Sequence, residues 1–79
     1  MKQALEEKVY AIVADVTGKA RAAIARESLL VADLGLDSPK ALLLLVELED
    51  ALGVAMSDTA AAGMHTVGDI LDYLDGRTA

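Results

Sequence analysis

No cysteine occurs in the 79 residues, which excludes disulfides, thiolate zinc sites and a cysteine nucleophile of the chain's own. The absence fits a reducing compartment. Tryptophan and phenylalanine are missing too, so the core must be aliphatic, with Tyr10 and Tyr73 as its only aromatic candidates. Basic residues are scarce: seven Lys and Arg against thirteen Asp and Glu, for a net charge of −6. Nucleic acid is thereby disfavoured as a partner, since its binding needs Lys and Arg to displace counterions. Long apolar runs are lacking as well. The stretch Leu42 to Val46 is far too short to span a bilayer, and the opening "MKQALEEKVYAIVADV" alternates charged with apolar residues, unlike a signal peptide. These exclusions leave one small domain over residues 1–79, expected to be cytoplasmic and monomeric. A core this small depends on efficient packing.

What charge there is lies unevenly. Residues 1–26 hold five basic side chains against three acidic ones, whereas residues 27–76 hold ten acidic groups against Lys40 alone. An acidic second half favours solubility and steers the protein toward basic partners.

Where the chain is periodic the period is helical, and there is no hairpin signal and no internal repeat. Leu5, Val9, Ile12, Val13 and Val16 recur at the spacing of one helix face, with Glu6, Glu7, Lys8 and Asp15 between them. Gly18 is the natural stop. Residues 19–36 have no clean period. They read as a long ordered loop with a helical turn near Arg21 to Ala25, pinned by Ile24, Leu29, Leu30, Val31 and Leu34. In "GLDSPKALLLLVELEDALG", Pro39 suits the first helical position, which makes Ser38 the N-cap, and Gly53 closes the helix. Ala41, Leu44, Leu45, Leu48 and Leu52 share the face to be buried. Leu42, Leu43 and Val46 point the other way, among Glu47, Glu49 and Asp50, and are the one violation of the pattern. Ser57 and Asp58 cap a short third helix in "DTAAAG". Thr66 caps a fourth, with Asp69 three residues on in a near-capping-box arrangement. Its buried stripe is Val67, Ile70, Leu71 and Leu74, Gly76 ends it, and the tail "RTA" frays. The expected fold is all-α, a bundle of three main helices and a short third one, with a long loop between the first two.

Catalysis finds little support. His65, the sole histidine, precedes a helix cap and lacks visible partners for a triad or a metal site. Asp33 and Asp37 resemble a carboxylate pair, but a raised acid pKa needs burial, and this loop reads as solvated. They suit attraction of a basic partner better than catalysis. Ser38 differs. A hydroxyl at a helix N-terminus faces unpaired N–H groups and the positive end of the macrodipole, which favour a phosphate-linked substituent. The plainer alternative is a capping serine contributing about 1 kcal/mol.

The segment "DLGLDSPKALLLLVELEDALGV" resembles the modification-site segment of acyl carrier proteins, whose pattern is Asp-Leu-Gly-x-Asp-Ser followed by an apolar helix. Asp33, Leu34, Gly35, Asp37 and Ser38 match in place, and the similarity runs through "LLVADLG" to "TVGDILDYL". The resemblance implies the four-helix acyl-carrier fold and a carrier that is not itself an enzyme. Ser38 would receive 4′-phosphopantetheine from coenzyme A through a separate magnesium-dependent phosphopantetheinyl transferase. Asp37 would be recognised by that transferase, and the arm's thiol would hold cargo as a thioester. The helix from Pro39 to Leu52 would dock acyl-loading and acyl-processing enzymes. On its outward face Lys40, Leu42, Leu43, Val46, Glu47, Glu49 and Asp50 are the candidate contacts, the three apolar ones reading alternatively as scattered surface residues or as packed on the long loop. The missing cysteine then makes sense, because the reactive thiol comes from the cofactor.

Three departures bear on the pathway. Pro39-Lys40 stands where the family usually has Leu-Asp or Leu-Glu. Leu43 occupies a place commonly polar. "DTAAAGM" keeps only Asp58 of several acids. A greasier, less acidic docking face implies a specialised lipid or polyketide pathway rather than bulk fatty-acid synthesis. An aminoacyl or peptidyl carrier is the alternative within the class, and an unmodified helical interaction module the alternative outside it.

Overall fold

The computed structural model describes residues 2–75, apart from the side chains of Lys2 and Asp58. Four α-helices follow one another: α1 Lys2–Thr17, α2 Ser38–Leu52, α3 Asp58–Ala62 and α4 Val67–Asp75. A single 3-10 turn, Arg21–Ala23, lies in the connection between α1 and α2. The all-α architecture, the short third helix and the long first loop all match the sequence expectation. Gly76 and the tail lie outside the described residues.

The helices close on one aliphatic core. Val9, Tyr10 and Val13 of α1 meet Leu44 and Leu48 of α2, and α4 contributes Val67, Ile70, Leu71 and Leu74. The predicted stripe of α4 is buried at every position. In α1, Leu5, Ile12 and Val16 are only partly buried, and Tyr10 takes a place in the core proper. Its ring also supports the Arg21 guanidinium, centred 3.8 Å away, which ties the 3-10 turn back to α1.

The helix ends follow their local chemistry. Gly53 ends α2 in the left-handed conformation (φ 66°) that only glycine adopts without strain. The Ser57 hydroxyl accepts the Ala60 N–H at the start of α3. At α4 the capping box is complete: the Asp69 N–H donates to Thr66 Oγ1, and the Thr66 N–H donates back to the Asp69 carboxylate, both at 3.1 Å.

The long loop is fastened by its backbone as much as by its apolar residues. The Leu30 N–H donates to the His65 carbonyl at 2.9 Å, and Leu29 forms an isolated antiparallel bridge with Thr66. Further along α4, the Gly68 N–H donates to the Arg26 carbonyl at 2.8 Å. A Cβ at position 68 would lie 3.1 Å from that oxygen, a tight contact that would push the two segments apart by a few tenths of an ångström, so glycine suits this seam. The Arg26 guanidinium reaches Asp72 at 2.7 Å, adding a side-chain strut to the same seam.

Two of the expected loop anchors do not pack. Ile24, Leu30 and Leu34 are buried, but Leu29 and Val31 are exposed, Val31 to 70%, and Leu36 is buried in their stead. The reason is local. The Leu34 N–H returns to the Leu29 carbonyl and the Gly35 N–H to Val31, and this tight turn throws Val31 outward.

Candidate functional site

The start of α2 differs from the sequence expectation in a way that matters for chemistry. Ser38 is not the N-cap. Asp37 is: its backbone is extended (φ −120°, ψ −178°), and its Oδ1 accepts the Lys40 N–H at 3.0 Å. Its carbonyl accepts the Ala41 N–H at 2.7 Å. Ser38 is therefore the first helical residue, and Pro39 the second. Aspartate and serine are near-equal caps, and proline is accepted anywhere in the first turn, where no intrahelical N–H bond is lost. With two adjacent candidates, composition alone does not choose between them.

The consequence is a hydroxyl with nothing to do in the fold. Ser38 is exposed, and its Oγ is hydrogen-bonded to no other described residue. It sits on the first turn of a helix of fifteen residues, where the macrodipole favours an anionic substituent. A phosphate-linked group on this oxygen meets no competing hydrogen bond and no covering side chain.

Asp33, the other half of the apparent carboxylate pair, also works on its own loop, accepting the Leu29 N–H through Oδ2 at 2.8 Å. Both carboxylates are thus held by backbone N–H groups, Asp33 in the loop before Ser38 and Asp37 at the head of the helix that Ser38 begins. Among the described residues no group of three or more His, Asp or Glu is placed to hold a metal ion.

The helix beyond Ser38 carries the expected outward apolar cluster. Leu42, Leu43 and Val46 are 61%, 48% and 50% exposed, and at three- and four-residue spacing they adjoin one another. Lys40 lies one turn before Leu43, while Glu47 and Asp50 lie one turn beyond Leu43 and Val46; all three are exposed. Glu49 is turned to another task. It is half-buried, and its Oε2 accepts the Met56 N–H at 2.9 Å, tethering the chain between α2 and α3.

The inward side of the same helix is incompletely covered. Leu44 and Leu48 are buried, but Leu45 and Leu52 are only partly so and Ala41 is exposed. Beside them runs an apolar cleft of about 260 Å³ between α2, the long loop and the α3–α4 connection. Leu44, Leu48 and Ile70 form its inner wall, and Val31, Ala41 and His65 are exposed parts of its lining. It is larger than the roughly 150 Å³ apolar cavity that suffices for benzene. Sequence reading did not find this cleft. The half-covered leucines of α2 were the one available signal, and they read equally well as core.

Comparison with known proteins agrees with this geometry. A family profile described as "Phosphopantetheine attachment site" matches residues 7–74. Among solved structures, the chain is similar to one described as "a putative acyl carrier protein" from Mycobacterium tuberculosis. The two share 34% identity with a TM-score of 0.86, over 92% of this chain and 97% of the other. Proteins of this kind receive a phosphopantetheine arm from a transferase, carry substrates on it for acyl-processing enzymes, and do not themselves catalyse. An aliphatic four-helix bundle, an unencumbered serine at the head of its second helix and a match along nearly the whole chain lead to one assignment: the chain belongs to the acyl carrier protein family of phosphopantetheine-attachment domains.

Proposed function

We propose that Ser38 is the residue that bears the 4′-phosphopantetheine arm, and that residues 1–79 act as a single, monomeric cytoplasmic carrier domain in a specialised lipid or polyketide pathway. The observation that carries this reading is the division of labour at the head of α2. Asp37 satisfies the cap and leaves the Ser38 oxygen exposed and unbonded. The bound arm would supply a thiol that holds acyl cargo as a thioester. Everything else falls to the chain: Asp37 is fixed beside the hydroxyl as a mark for the transferase, and the first turn of α2 favours the phosphate charge.

Cargo exchange would take place on the outward face of α2. Leu42, Leu43 and Val46 form an apolar contact patch, with Lys40, Glu47 and Asp50 as its charged rim, and Glu49 contributes from a position shared with Met56. A positive charge one turn from an apolar patch suits an enzyme surface less basic than one built for a uniformly acidic helix. Between partners, the apolar cleft offers the hydrocarbon of the cargo a refuge from water. That lining favours an acyl chain over an aminoacyl group, whose ammonium would need pairing.

The absence of cysteine gives the proposal a clean assay. Incubated with coenzyme A, magnesium and a broad-specificity phosphopantetheinyl transferase, the chain should pass from no titratable thiol to one thiol per chain. A thiol count that stays at zero would remove the carrier reading.

A further inference from the structure

His65 splits its duties between backbone and side chain. Its N–H donates to the Asp69 carboxylate at 2.8 Å and its carbonyl accepts the Leu30 N–H at 2.9 Å, so the main chain is clamped on both sides. The imidazole takes no part in that clamp. It is exposed and hydrogen-bonded to no described residue, and the Asp69 carboxylate lies near it. Yet His65 is among the residues that line the apolar cleft, and every other described lining residue is Leu, Val, Ile, Ala or Met. Among the described lining residues His65 is thus the one with a polar side chain, and its clamped backbone holds it on an exposed part of the lining.

We infer that His65 is a cargo-contacting residue: its imidazole donates a hydrogen bond to the thioester carbonyl of an acyl chain whose hydrocarbon lies among Leu44, Leu48 and Ile70. The inference rests on the carrier reading of Ser38. A chain tethered outside the cleft enters with its free end leading, so its apolar tail goes deepest and its carbonyl stays nearest the opening. At an apolar rim that oxygen has lost water and gains from any donor within reach. Neutral imidazole has one N–H and imidazolium two, so a donor is present in either state. A net hydrogen bond of this kind is worth about two- to tenfold in the fraction of chains sheltered. The residue is a positioning residue for the cargo, with no bond made or broken on it.

The test uses the intact chain loaded from hexanoyl-coenzyme A labelled with 13C at the carbonyl, in native form and as His65→Leu and His65→Gln. Because the imidazole supports nothing in the fold, all three should melt at closely similar temperatures. Leu44 and Leu48 methyl resonances report the tail in the cleft, and the isotope-edited infrared band of the carbonyl reports its hydrogen bond. The inference expects a hydrogen-bonded carbonyl in the native chain. The bond should be lost in His65→Leu, with a two- to tenfold smaller sheltered fraction, and both should recover in His65→Gln. A carbonyl band identical in the native and His65→Leu chains, with the methyls still shifted, would overturn the inference and leave the carrier reading intact. Failure to load would remove both. Loading without any methyl shift would remove the sheltered tail and this role of His65, but not the arm on Ser38.

Discussion

The Asp37 carboxylate accepts the Lys40 N–H at 3.0 Å, and that single bond releases the neighbouring Ser38 hydroxyl from structural duty. Asp37→Ala should destabilise the fold by about 1 kcal/mol, the usual worth of an N-cap. For a domain of this size that lowers the melting temperature by roughly 4–8 °C. Asp37→Asn keeps an acceptor in place and should retain most of the stability. If the transferase reads the charge of Asp37, Asn will nevertheless slow loading of the arm, so melting curves and loading rates together separate the cap from the recognition mark.

On the outward face, Leu43 is half-exposed and contributes little to the core. Leu43→Glu should leave the melting temperature within a few degrees of the native value, because exposed substitutions rarely exceed about 0.5 kcal/mol. As an interface anchor it should still cost at least about 1 kcal/mol, or roughly fivefold, in transfer to the native partner enzymes. Unchanged transfer rates would mean that partners dock elsewhere.

The two faces of α2 make opposite stability predictions. Leu48 is 1% exposed, and Leu48→Ala should cost about 2–5 kcal/mol in denaturant unfolding. Leu42→Ala, on the solvent side, should stay within about 0.5 kcal/mol. Similar losses for both would mean that the helix is rotated from the orientation described.

Asp69 should make the fold sensitive to acid. Its carboxylate accepts the N–H groups of His65 and Thr66, which hold its pKa below the ordinary value of 3.8. A depressed carboxyl contributes stability that is fully present above the unfolded pKa and is lost as pH falls through the lower folded value. Melting temperatures should therefore drop on the acid side of pH 4, and Asp69→Asn should drop less steeply there. Parallel curves for the two proteins would contradict this assignment.

Much of this was legible in the sequence because it is local. The stripe Val67, Ile70, Leu71 and Leu74, the Gly53 stop and the Thr66–Asp69 capping box depend only on residues within two turns of each other, and each stands as expected. What was not legible depends on distant geometry or on near-degenerate choices. Asp37 and Ser38 are both good caps, so local chemistry could not rank them. Leu29 and Val31 are apolar but face outward because of a backbone turn, and an aperiodic segment gives no warning of that. Glu49 reads as a surface acid until Met56 is folded back onto it, seven residues later. The cleft exists only where several separate segments fail to meet, a property of none of them alone.

The account turns on the oxygen of Ser38. Intact-mass measurement after incubation with coenzyme A and a phosphopantetheinyl transferase tests it most directly, on the native chain and on Ser38→Ala side by side. The account predicts one added phosphopantetheine on the native chain and none on the variant. An unmodified native chain, or an arm that still appears on Ser38→Ala, would contradict it.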